Sequence, residues 1–212
     1  MVRMTEWRTR SAELPARPQV IRQPVWVVVP GVLAPVSLIG GWLLAVALQP
    51  DPTRAVWVTI SDLAARYASR SYVMTAALSV TGVALVAVAA GLIAARAAGR
   101  VALAVSGLGV LGAAAAPLPD GYPAHSLFAF VALGSLSIWP CLGAREGAAR
   151  RLGRDRATTV TGIGCALLAI LYLVPSLLGG FGMVEKLVAG LELIWLALVV
   201  MECAWRPTAA AS

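Results

Sequence analysis

Ionisable side chains are scarce in this chain, and those inside its apolar stretches mark where proton transfer or polar binding could occur. Glu192 is the most exposed to that argument. It lies within VEKLVAGLELIWLALVVMECAW, residues 184–205, which also carries Glu185, Lys186 and Glu202. The hydrocarbon core of a bilayer is about 30 Å thick and takes about 20 residues of helix to cross, so Glu192 falls inside it, on the half nearer Glu185. An ionisable group at that depth costs on the order of a few kcal/mol unless it is protonated, paired or facing a polar cavity. His125, the one histidine, is of the type most used for proton transfer, and it equally suits satisfying loop carbonyls. Asp62, after Ser61, suits either an acid or a helix cap.

These three, Glu192, Asp62 and His125, are the candidates for acid–base chemistry. Ser61, Tyr122, Glu185, Lys186 and Trp195 are the candidates for contacting a ligand. Glu185 lies seven residues before Glu192, close to two helical turns and about 10 Å along the axis, so both share a face. Trp195 lies one turn beyond Glu192 and offers it an aromatic wall. Lys186 suits an interfacial anchor whose charge reaches water. No metal or cofactor is expected: Cys141, Cys165 and Cys203 all sit in apolar runs, with no CxxC and no cysteine–histidine cluster.

The elements that must position these groups are membrane helices. The 212 residues are 59% hydrophobic and 13% charged, about half the charge of a soluble domain. The expected fold is all-α, a six-transmembrane-helix bundle with spans at about 25–49, 72–95, 101–116, 125–143, 157–178 and 184–204. A basic disordered tail, 1–24, precedes the membrane domain, 25–205, and a short tail, 206–212, follows it. The first apolar run is much longer than the core of a signal peptide. The connection 50–71 is semi-polar, with Ser61 or Asp62 placed to cap a short helix reaching Arg70.

Arginine placement sets the orientation. The two tails and the even-numbered connections carry thirteen of the 17 cationic residues, and the odd-numbered connections carry four. The positive-inside rule then puts both termini in the cytoplasm. Asp62, Asp120, His125, Glu185 and Lys186 fall together on the opposite side. The net charge of +7 therefore speaks for orientation and contact with anionic membrane lipids rather than nucleic acid, which is not an expected partner. Residues 107–112 spell GxGxxG, the dinucleotide fingerprint, but inside an apolar helix rather than a strand–helix turn. Small residues for close helix packing explain it better.

Three stretches carry a family resemblance: TISDLAARYASRSYVMTAALSVTG, APLPDGYPAHSLFAFVALGSLSIWP and LLGGFGMVEKLVAGLELIW. In that order they resemble the bacterial six-helix membrane proteins of the domain of unknown function 998 family, over about residues 25–205. The resemblance implies a multi-pass protein of the bacterial plasma membrane and singles out Ser61, Asp62, Leu63, His125, Gly182 and Glu185. Lys186 stands where the family usually has arginine, which keeps the charge and loses the bidentate fork. Glu192, although inside the third stretch, is not among the residues the resemblance singles out.

Three functions fit these residues. The first is a polar site facing the outer leaflet that binds a lipid-like or isoprenoid-like molecule, lined by Asp62, His125, Glu185 and Glu192. The second is an enzyme of the terpene-cyclase type, in which a buried carboxylic acid protonates an alkene or epoxide. Hydrolysis with His125 as base ranks lower, because spacing identifies no serine or cysteine nucleophile. The third is a small subunit or assembly factor of a membrane complex, suggested by the Gly- and Ala-rich faces of the second and third spans, with a second copy of the chain or another membrane protein as the partner.

Overall fold

The computed structural model describes residues 20, 21, 23–143, 163, 164, 181–205, 208 and 209. Among the described residues the fold is all-α apart from one pairing of two-residue strands. Strand β1 (Val20–Ile21) leads through a 3-10 turn, Val25–Val27, into α1 (Val28–Ala47). Two short helices, α2 (Pro52–Ala55) and α3 (Ile60–Leu63), lie in the connection to α4 (Tyr72–Gly91). Then come α5 (Ala97–Ala115), α6 (Tyr122–Gly143), α7 (Phe181–Trp205) and β2 (Thr208–Ala209). Five of these helices are long and apolar enough to cross a membrane. The expected fifth span, 157–178, lies outside the described residues except for Ile163 and Gly164, as do the arginine-rich stretch 145–156 and most of both tails.

Neighbours along the chain pack side by side as α1–α4, α4–α5 and α5–α6, and α7 returns against α1. The contacts give the directions. A Cβ at Gly31 would meet Val200 at 2.9 Å and one at Gly190 would meet Trp42 at 3.2 Å, so α1 and α7 are antiparallel. This brings the strands together at one end, Val20 opposite Ala209 and Ile21 opposite Thr208. At the other end α7 meets α3 through Glu185, and further along it meets Ser137 of α6 through Glu192. Helices α6 and α7 therefore run parallel.

Large apolar residues cover the outside, and small residues set the closest helix contacts inside. Leu33, Val36, Leu43, Leu44, Val83, Leu108, Phe130, Leu191 and Leu198 are exposed, the pattern of a helix surface that faces lipid. The interior is where backbones approach. A Cβ at Gly107 would lie 2.7 Å from the carbonyl oxygen of Gly82 on α4, and one at Gly109 would lie 2.9 Å from the backbone of Phe128 and Ala132 on α6. The GxGxxG run is thus a two-sided packing surface. Hydroxyls add interhelical bonds at the same depth: Ser106 donates to the Ala132 carbonyl at 2.9 Å and Ser37 to that of Ala77 at 3.0 Å.

The helices start and stop where backbone groups find other partners. The Gln23 side chain bonds the Gly91 carbonyl and the Ala94 amide, closing the α4–α5 turn from the α1 side. The Arg100 guanidinium donates to the carbonyls of Ala89 and Ala90, both at 2.8 Å. It thereby caps the end of α4.

Replacing Gly109 by leucine should lower stability by about 2 kcal/mol through overpacking. Gly40→Ala, where a Cβ meets nothing within 4 Å, should stay within about 0.5 kcal/mol of the parent. Thermal melts in detergent check both, and equal losses would contradict the packing described.

Candidate functional site

The site is built on the connection between α1 and α4. Helix α3 begins with a reciprocal capping box. Thr59 accepts from the Asp62 amide at 2.9 Å, and the Asp62 carboxylate accepts from the Thr59 amide at 3.2 Å and its hydroxyl at 2.7 Å. The helix stops at Leu63, which is fully buried. This corrects the expectation of a cap at Ser61 or Asp62 and a helix reaching Arg70. Thr59 is the cap because Asp62, three residues on, can return its bond.

Asp62 therefore spends its carboxylate on local structure. Its other oxygen accepts from the Tyr67 hydroxyl at 2.5 Å. Partial burial, then this bond and the carboxylate charge, push that hydroxyl up to about 12, so it remains a donor at ordinary pH.

Helix α7 holds the connection from the other side. The backbone at Val58 lies so close to Gly182 that a Cβ there would overlap its carbonyl. Glu185 accepts from the Ile60 amide at 3.1 Å, and Lys186 donates to the carbonyls of Val56 at 2.9 Å and Val58 at 2.5 Å. Lys186 is buried rather than reaching water, because those two carbonyls lie outside any helix ladder and need donors.

Ser61, held this way, meets His125. Its Oγ lies 2.7 Å from Nε2, while Nδ1 lies 3.0 Å from the carbonyls of both Ala113 and Ala116 at the end of α5. Carbonyls only accept, so Nδ1 carries the hydrogen. In the neutral ring Nε2 is then the acceptor and the Ser61 hydroxyl the donor. Both residues line a cavity of about 70 Å³ inside the bundle, about the space of two waters. Its wall is apolar except for Ser61, Thr81, Ser106, His125 and Glu185. Thr81 and Ser106 already donate to the carbonyls of Ala77 and Ala132, which leaves Ser61, His125 and Glu185 as the polar end.

A family model described as a protein of unknown function (DUF998) matches residues 32–202. The chain belongs to that family. No curated protein and no solved structure matches it. The DUF998 resemblance noted above rests on elements that meet in space: Ser61–Leu63, His125 and the Gly182–Lys186 segment form one contact set.

The remaining candidates stand apart from it. Glu192 is buried on the α6 side of α7, where Oε1 accepts from Ser137 at 2.5 Å. Its Oε2 and the Trp195 indole nitrogen have no partner among the described residues. Both residues line a second, apolar cleft of about 340 Å³ with Gly164 and Leu198, and Glu192 does not line the Ser61–His125 cavity. The single polar site expected to hold both Glu185 and Glu192 is thus two places. Asp62 faces an outer pocket with Tyr67 and Arg54. Tyr122 is exposed in the first turn of α6, and Asp120 pairs with Arg66 at 2.8 Å on the surface. Among the described residues no group of three metal-ligating side chains is present. Sequence reasoning missed Thr59, Ser137, Thr81 and Ser106; the Thr-x-x-Asp spacing was the one available signal.

Lys186→Met should cost about 3 kcal/mol, since two buried carbonyls lose a charged donor, and should expose residues 50–71 to proteolysis. Asp62→Ala should cost about 1 kcal/mol, the value of a cap. Melting and limited proteolysis in detergent check the order, and a costlier Asp62 variant would contradict it.

Proposed function

We propose that this membrane protein binds an amphiphile, with the polar end of the ligand at Ser61, His125 and Glu185 and its apolar part against the helix interior. The observation that carries the reading is the polar trio at one end of a cavity whose remaining wall is apolar apart from Thr81 and Ser106, both already bonded to backbone carbonyls. The lining runs from His125 to Leu136 along α6, about 16 Å of helix, so the cavity is long and narrow. At its present volume it admits the polar end of a ligand. A lipid-like or isoprenoid-like molecule has this division between a small polar head and an apolar chain. Arg96 and Arg100, at and just within the start of α5, lie at the strand end of the bundle, opposite the site, and under the positive-inside rule this supports a reading in which the site opens toward the outer leaflet.

Organic extraction and mass spectrometry of the purified protein should recover an amphiphile, and adding it at about 100 times its Kd should stabilise the fold by about 2.7 kcal/mol. A protein that yields no amphiphile and melts unchanged with a panel of lipids and isoprenoids refutes the reading.

A second reading concerns acid chemistry at Glu192, favoured by a carboxyl oxygen that has no partner among the described residues in an apolar cleft beside Trp195. A carboxylic acid in such a place can protonate an alkene, with the indole face beside the cation. Glu192→Gln keeps an acceptor for Ser137 and removes the acid. It should abolish turnover of isoprenoid substrates with melting nearly unchanged; a collapse in melting instead assigns Glu192 to packing.

A further inference from the structure

We infer that Ser61 is a nucleophile activated by His125, and that the cavity performs acyl transfer on an ester-bearing amphiphile. The inference rests on the binding reading above and names the chemistry of that same site.

Three independent features support it. The nucleophile and base are in hydrogen-bond contact, with Ser61 Oγ 2.7 Å from His125 Nε2, the geometry that activated serine requires. The base is oriented by a third group: Nδ1 is fixed by the Ala113 and Ala116 carbonyls at 3.0 Å, so Nε2 is turned to accept the serine proton. Finally, both residues line the cavity, so the pair faces space where a carbonyl carbon can sit. The serine itself is fixed from two sides, by the Thr59–Asp62 box and by Glu185 on the Ile60 amide. A hydroxyl whose only task was to brace His125 would not need an opening onto a cavity.

The chemistry balances with water as the second reactant. Ser61 Oγ attacks the ester carbonyl carbon as its proton passes to Nε2. The C–O bond to the alcohol portion then breaks, and that oxygen takes the proton from Nε2 and leaves as the free alcohol. Water attacks the acyl-Ser61 ester, giving its proton to Nε2. The acyl–oxygen bond breaks, the carboxylic acid departs, and Ser61 recovers its proton. The net change is ester plus water to acid plus alcohol.

The test treats the full chain in detergent micelles with a long-chain alkyl fluorophosphonate, which loses fluoride as a serine oxygen bonds to phosphorus. Peptide mass spectrometry should place one adduct on Ser61, and Ser61→Ala should abolish it. His125→Gln should slow labelling about 100-fold, the usual worth of a general base. Melting of each variant is followed in parallel, and the result rests on the parent protein if a variant does not fold. Folded parent protein with no adduct on Ser61 overturns the inference. The same alkyl phosphonate without fluoride separates the two readings. A melting shift with this compound but no adduct from the reactive one overturns the nucleophile and keeps the binding site; neither response overturns both.

Discussion

Between Val56 and Ile60 the backbone reaches the bundle with carbonyls and an amide that no helix ladder satisfies. In an apolar surrounding each such group would cost several kcal/mol if left alone. Helix α7 answers with three consecutive devices. Gly182 lets the backbone in, Glu185 accepts the Ile60 amide, and Lys186 donates to the Val56 and Val58 carbonyls. The rest of the polar end depends on this clamp. It sets the position of α3, which sets Ser61, which meets His125, whose other nitrogen closes the carbonyl end of α5. Three elements, α5, α6 and α7, are thereby tied through one short helix.

The same helix shows why a shared face does not mean a shared site. Glu185 and Glu192 project from α7 within nearly the same angular range, seven residues apart. What α7 packs against changes over that distance. At its beginning the neighbour is the α3 connection, whose free amide draws in Glu185; further on it is α6, whose Ser137 draws in Glu192. The depth of a carboxylate in the membrane follows from its place in the run, whereas its company follows from helix crossing. Lys186 obeys the same logic: a long cation at a helix end ordinarily reaches water, and here two unpaired carbonyls hold it inside.

Helix positions were legible because apolar length is nearly all that a span requires. The first, second, third, fourth and sixth expected runs correspond to helices Val25–Ala47, Tyr72–Gly91, Ala97–Ala115, Tyr122–Gly143 and Gly182–Trp205. The third begins earlier than expected because Arg96 and Arg100 lie at and within its start, where Arg100 reaches back to α4. The GxGxxG run was legible as packing because no strand precedes it. The family, too, could be recognised from short elements: Ser61–Leu63, His125 and Gly182–Glu185.

What the sequence by itself determined is a membrane-helix bundle, its cationic asymmetry, and a shortlist holding Ser61, His125, Glu185 and Glu192. Each of these follows from local composition, through the free-energy cost of placing a residue type in hydrocarbon. What only the tertiary structure decided is who meets whom. Ser61 and His125 are 64 residues apart, and no local rule relates them, so spacing offered no nucleophile for the histidine. Their contact exists because helices pack through small residues at fixed crossings and because α7 must satisfy a stray stretch of backbone. Those two demands are satisfied only when the whole bundle is assembled, and they turn a ligand candidate and a histidine at a helix start into a hydrogen-bonded pair facing a cavity.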